Sequence, residues 1–467
     1  MKYGFILFLF VLAAGAALAQ GPDTMWTRTC GGAADDLGYD LITTSDGNFV
    51  IAGATSSYGP NPGTGNAYVL KVNGAGDTLW TNVYGGDGGE DVDAVHQTSD
   101  GGYILAGYTS SLGAAPADCY LLKLDAAGTL EWARNYGGTE YEEARAVQQT
   151  SDGGYILVGY TTSFGVGTPS QKNVYIVKTN SVGDTAWTRT YGGINAETAF
   201  GVEQTADEGY MVAGLTGSYG AGSTDAWLLR LDASGDTLWT HTYGGPGGDG
   251  AYWLARTNDG GYAMAGYTAS YTPGINDQYL LKVDAAGTLL WARHYGGADH
   301  DQANCVQQTT DGGYVLSGIT KSFGPGVPAQ NNYYVVKTNS VGDTLWTRVL
   351  GGAGNDVAYA VRQTTDEGYA VAGYTRSFGT GAPSANVYLV RYSGWPSVPQ
   401  QVVVKVSAGT LILNWADDNN PYYRIYSAAT SAGPFATLEA STSDTTVTIV
   451  ALPALRKFYV VVGSTVP

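Results

Sequence analysis

The chain has 467 residues, 44% of them hydrophobic, 12% aromatic and only 14% charged, with 68 glycines and a formal net charge of −18. That is apolar material for a large core, and the negative field disfavours nucleic acid and anionic lipid while favouring cations or basic partners. Glycine at this density, without collagen's three-residue period and interleaved with Tyr, Val, Ile and Thr, excludes a helical protein and points to many short strands joined by tight turns.

Residues 1–19, "MKYGFILFLFVLAAGAALA", carry one Lys, an apolar run and the small-residue pattern Ala17-Leu18-Ala19. This reads as a cleaved secretory signal, too short for a membrane span. No Cys follows it, so a lipoprotein anchor is not expected, and no later segment has the apolar length of a spanning helix. Three cysteines, Cys30, Cys119 and Cys305, are an odd set at three different positions of the pattern described next. They read as small buried residues rather than a disulfide framework.

From Trp26 the chain repeats. Trp26, Trp80, Trp132, Trp187, Trp239, Trp291 and Trp346 open a "W-[TA]-x-x-x-G-G" pattern every 52 to 55 residues, a period typical of a solenoid or a propeller. Within one period four strand-like runs follow one another, as in "DVDAVHQT", "GYILAGYTSS", "CYLLKLD" and "TLEWAR" between 91 and 134. Four strands per unit make one propeller blade. Asp46, Asp100, Asp152, Asp207, Asp259, Asp311 and Asp366, each followed by Gly or Glu-Gly, mark the hairpin between the first and second strands. "DAAG", "NSVG" and "DASG" mark the hairpin between the third and fourth.

The ends complete the count. The seventh third strand, "NVYLVRYSG" at 386–394, has no fourth strand after it, whereas "PDTMWTRTCGG" near the start is a fourth strand with no third before it. The expected fold is therefore all-β: a seven-bladed β-propeller over 20–394, closed by an N-terminal strand at 23–29 that pairs with 386–392. Closure removes the edges that a linear array would expose.

At the hairpin and Trp, the segments "LDASGDTLW", "VDAAGTLLW" and "TNSVGDTLW" resemble the tryptophan-docking repeats of bacterial PQQ-type quinoprotein propellers, and the end-to-end closure resembles that of WD repeats. The resemblance covers 23–394 and implies the scaffold. The turn is one residue shorter than the docking motif and those enzymes commonly have eight blades, so PQQ binding is not carried over.

After a Pro-containing linker at 395–400 the period stops. Residues 401–467 contain "TLILNWADD", "YYRIYSAA", "TTVTIVAL" and "RKFYVVV", with Trp415 and Tyr459 as core anchors. This resembles a fibronectin type III domain, which implies a small β-sandwich used as a spacer.

Chemistry is harder to place. His96, His241, His294 and His300 fall at unrelated repeat positions, so no His triad or metal cluster is expected and each reads as a surface substitution. A carboxylate stands eight residues before the first-hairpin Thr in every unit: Asp36, Glu90, Glu142, Glu197, Asp249, Asp301 and Asp356. Seven-fold symmetry would set these in a ring at the mouth of the central channel. One reading is a repeated latch accepting backbone N–H groups; the other is a binding ring for a polyol or a hard cation such as calcium. Seven equivalent carboxylates do not form a differentiated acid and base, so no catalytic residue is assigned.

Lys71, Lys123, Lys178, Arg230, Lys282, Lys337 and Arg391 recur in the third strand and read as solvated or paired side chains. The second-to-third loops vary in length and share a face with the carboxylates, which makes that face the expected binding surface. The function expected is a secreted, monomeric, non-enzymatic binding or adhesion scaffold for an extracellular glycan or protein, with no nucleic-acid partner. The alternative is a carbohydrate-active enzyme, a glycoside hydrolase or lyase, using propeller-face carboxylates in unlike environments. Trp253, which replaces a small residue in the fifth unit, is the asymmetry to follow there.

Overall fold

A computed structural model of the chain describes residues 21–60, 63–113, 116–167, 171–272, 274–380 and 382–394, together with six backbone strands between 402 and 464. The expectations for 1–19, for the linker at 395–400 and for the anchors Trp415 and Tyr459 lie outside the described residues and side chains.

Seven four-stranded antiparallel sheets account for the repeat, and among the described residues every regular element is a strand. The second blade shows the plan: first strand Glu90–Gln97, then Tyr103–Thr109, Asp118–Leu124 and the fourth strand Leu130–Tyr136. The second and third strands of each blade are almost wholly buried, because both faces of the sheet pack against neighbouring blades. Such double burial selects continuous apolar runs such as "YILVGYT" rather than simple alternation. The first strands pack against one another from blade to blade, the seventh returning to the first, and so encircle a common axis. The chain is thus an all-β, seven-bladed propeller.

In the seventh sheet the fourth position is held by Thr24–Cys30, antiparallel to Asn386–Tyr392 with Thr29 opposite Tyr388. Trp26 donates its Nε1 hydrogen to Gly74 O at 3.2 Å in the first blade. The other blades show the reason for the glycine after that hairpin. Gly183 has φ +84°, and a Cβ there would lie 2.9 Å from the Trp132 ring of the preceding blade. Gln149, at the end of a first strand, accepts the Ser99 backbone N–H of the preceding blade at 2.7 Å. Blades are therefore fastened at the rim by Trp on Gly and near the axis by Gln on a hairpin.

Every first strand carries a β-bulge at the same place. In the third blade Ala144 pairs with Gly159 and Ala146 with Val158, which leaves Arg145 between them unpaired. The glycine opposite is obligatory: a Cβ on Gly159 would sit 1.9 Å from Glu143 O. A bulge re-aims the extra residue, and here that residue is at the axis.

Beyond the propeller, strands Val402–Ser407, Thr410–Trp415 and Thr446–Ile449 form one three-stranded sheet, and Tyr422–Ala428, Thr437–Thr442 and Phe458–Ser464 form another.

Candidate functional site

The seven recurrent carboxylates each open a first strand and are buried. In the third blade Glu142 accepts hydrogen bonds from Gly138 N at 2.7 Å, Thr161 Oγ1 at 2.6 Å and Ser163 N at 3.1 Å. Glu90 and Glu197 use the corresponding Gly, Thr and Ser donors. Asp36 and Asp356, one methylene shorter, take the hydroxyls of Ser57 and Ser377 at 2.7 Å in place of the serine backbone N–H, along with their Gly and Thr donors. Asp301 takes Gly297 N at 2.8 Å and Ser322 Oγ at 2.7 Å, and Asp249 takes Gly245 N and the Ser270 hydroxyl. Each carboxylate thus ties the Gly-Gly turn arriving from the previous blade to the end of its own second strand.

The third-strand bases are not solvated. Lys71, Lys123, Lys178, Arg230, Lys282, Lys337 and Arg391 are buried, and each meets the hairpin Asp of its own blade, as in Lys178–Asp152 at 2.8 Å and Lys337–Asp311 at 2.8 Å. Burial alone would raise Asp152, but hydrogen bonds from Lys178, Thr150 and Gly154 outweigh it and hold the carboxyl down to about 2. Asp100 and Asp259 are held to about 2 by the same set of contacts. These pairs fix the hairpins at the opposite face from the variable loops.

The unrepeated chemistry lies on the bulges. The seven bulge residues are Tyr39, Asp93, Arg145, Phe200, Tyr252, Asn304 and Tyr359. They reach one another around the axis. Tyr39 and Tyr359 meet edge-to-face at 5.3 Å and Phe200 and Tyr252 at 4.8 Å. Arg145 touches Asp93 at 3.4 Å and lies over the Phe200 ring at 6.0 Å. Beneath them is an axial cavity of about 280 Å³, to which all seven first strands contribute; Asp40, Arg362 and Trp253 line it. Arg362 pairs with Asp40 at 3.1 Å and covers the Trp253 ring at 4.9 Å.

Negative charge is concentrated on one side of this ring. Asp91 and Asp93 of the second blade and Glu143 of the third bring carboxylate oxygens within 4.8 Å of one another. Arg145 bonds Glu143 at 2.9 Å, and Tyr160 donates its hydroxyl to Glu143 at 2.8 Å. Burial pushes the Asp93 carboxyl up to about 8; Arg145 opposes the shift and Glu143 adds to it. Burial also raises Asp91 well above the usual carboxylate range, with Asp93 and Glu143 adding to the effect.

Sequence reasoning singled out the seven recurrent carboxylates, as either a latch or a binding ring, together with the hairpin Asp residues and Trp253. It missed Asp91, Asp93, Glu143, Arg145 and the tyrosines around them. His96 is no surface substitution: it lines the axial cavity, and burial lowers its pKa. Cys119 and Cys305 are buried and Cys30 partly so, all as free thiols. The available signal was variation: at the bulge the seven units hold Tyr, Asp, Arg, Phe, Tyr, Asn and Tyr, directly after a position that is Ala in five of the seven.

No protein-family model matches the chain. A stretch of 177 residues is 27% identical to the regulatory protein FlaEY of Caulobacter vibrioides, covering 36% of this chain. The chain spans only 18% of that relative's length. Among solved structures, the WD40 domain of Neurospora crassa Pan2 aligns with a TM-score of 0.44 at 12% identity, over 79% of this chain and 96% of that one. Penicillium chrysogenum alpha-L-arabinanase, complexed with arabinobiose, aligns with a TM-score of 0.44 at 8% identity, over 80% and 98% of the two chains. The class defined by the seven sheets and their shared axis is a β-propeller repeat protein.

Proposed function

We propose that the chain is an exported, non-enzymatic binding scaffold that takes an extracellular glycan or protein ligand at the loop-bearing end of its axial channel. The observation that carries this reading is where the repeat varies. The positions that build the blade are held almost constant, whereas the bulge positions hold five residue types in seven units and bring four aromatic rings, an acid and a base to one channel mouth. Rigid aromatic surface beside a few polar groups suits recognition of sugars and of extended peptide. In this reading residues 1–19 direct export, strand Thr24–Cys30 closes the ring, and 401–467 serve as a fibronectin-like spacer. The recurrent carboxylates serve as latches, since each accepts from the Gly-Gly turn and from its own second strand, as Glu142 does from Gly138, Thr161 and Ser163.

The test is binding of the mature protein to glycan and extracellular-protein arrays, alongside a glycoside-hydrolysis screen, for the wild type and for the double variant Phe200→Ala, Tyr359→Ala. Saturable binding without turnover, lost in the variant, supports the scaffold. Binding indifferent to both rings refutes the channel site. Turnover abolished by changing Asp93 or Glu143 makes the protein a carbohydrate-active enzyme instead.

A further inference from the structure

Asp91, Asp93 and Glu143 are three carboxylates set by two adjacent blades around one point, with oxygens within 4.8 Å of one another. Oxygens that share one calcium ion at 2.3–2.6 Å can stand no more than about 5 Å apart, so the spread fits a single ion. Arg145 places one Nη on Asp93 Oδ1 at 3.4 Å and the other on Glu143 Oε1 at 2.9 Å, which ties the two acids together. With all three carboxyls ionised, as a bound cation would hold them, Arg145 offsets only one of the three charges.

Asp93 adds a separate observation. Its side chain is only 9% exposed, and its Oδ2 is buried with no hydrogen-bond partner. A buried carboxylate oxygen without a donor is costly and calls for a ligand. The bulge explains how it comes to be there: Val92 pairs with Gly107 and Ala94 with Ala106, so Asp93 is the residue pushed out of the ladder toward the axis.

We propose that Asp91, Asp93 and Glu143 hold one hard divalent cation of the calcium class, shared between the second and third blades, with its remaining coordination positions open to the channel. Oxygen-only donors exclude a preference for zinc or copper. Three protein carboxylates with irregular spacing suit calcium better than magnesium, which demands a near-ideal octahedron and keeps most of its waters. The site is distinct from the seven recurrent carboxylates, which stand one to a blade and each accept from the Gly-Gly turn and from the end of their own second strand.

The experiment is calorimetric titration of calcium chloride into chelator-treated mature protein at about 0.15 M salt, where exposed charges are screened. One site per chain is expected, with a dissociation constant on the order of 10⁻⁴ to 10⁻³ M, as for other extracellular sites. Asp93→Asn should weaken it at least tenfold, magnesium should compete poorly, and the exposed hairpin variant Asp184→Asn should leave it unchanged. Should Asp93→Asn lose its native circular dichroism, Asp91→Asn carries the same comparison. Absence of saturable binding up to about 5 mM, well above the upper end of that range, overturns the proposal, as does equal binding by wild type and the folded variant. No glycan or protein ligand is present, so failure here leaves the scaffold reading to its own test.

Discussion

Glu142 and Glu143 are consecutive on one first strand, where the two-residue period of a strand sends neighbouring side chains to opposite sides. Glu142 turns into its own blade and is surrounded by the donors of Gly138, Thr161 and Ser163. Glu143 turns toward Arg145, Tyr160 and the two acids of the blade before it. The second blade repeats the contrast with Glu90 and Asp91. A carboxylate present in every unit does what every blade needs, whereas one present in two units does what only the assembled ring can do. Recurrence in this chain therefore marks construction, and its failure marks the site.

The sharpest way to break that comparison is to neutralise the latch. Glu142→Gln keeps the shape but puts an amide donor against backbone and hydroxyl donors, so buried hydrogen bonds to a charged group are lost. A loss of about 3 kcal/mol of unfolding free energy is expected, read as the shift in urea midpoint at constant slope. An unchanged midpoint would remove the structural role assigned to all seven carboxylates.

A smaller effect is expected at the hairpin pairs. In Lys178→Met the base that meets Asp152 is gone, and because that acid is largely solvent-exposed the cost at neutral pH is about 1 kcal/mol. Its pH dependence has a definite sign. Asp152 is held below its unfolded pKa, to about 2, so the pair contributes fully above pH ~4 and its contribution is lost as pH falls toward 2. The stability gap between wild type and Lys178→Met should therefore close between pH ~4 and ~2. A gap that persists at pH 2 would mean that the Lys178 stem, not its charge, matters.

Much of the scaffold was legible because it is repeated. Seven aligned copies average out local noise, so the Asp-Gly hairpins, the buried strands and the carboxylate before each first strand stand out from single residues. The channel was illegible for the same reason. A bulge leaves little mark in composition, and with one side chain per blade at each level of the axis, no window along the chain contains the cluster. Asp93 and Arg145 are 52 residues apart, and Tyr39 meets Tyr359 only across the junction between the first blade and the seventh. The second-strand glycine went unremarked among the many turn glycines, although Gly159 is required because a Cβ would strike Glu143 O. A glycine fixed in mid-strand opposite a position that holds five residue types in seven units was the pattern that could have revealed the bulge, and with it the channel.

The smallest expected effect separates the two glutamates. Glu143→Gln keeps an oxygen that can accept from Arg145, turns its amide N–H toward the Tyr160 hydroxyl oxygen, which can accept, and removes one negative charge from beside the two other acids. The lost ion pair and the relieved repulsion are opposite in sign and act over similar distances, so unfolding free energy in the absence of calcium should change by no more than about 1 kcal/mol. Added calcium should raise the wild-type midpoint by mass action and leave that of Glu143→Gln nearly unmoved, since a ligand stabilises only the state that binds it. A loss as large as that of Glu142→Gln would show that adjacent carboxylates share one structural task, and the division between repeated construction and unrepeated site would fail at the place where it is drawn most finely.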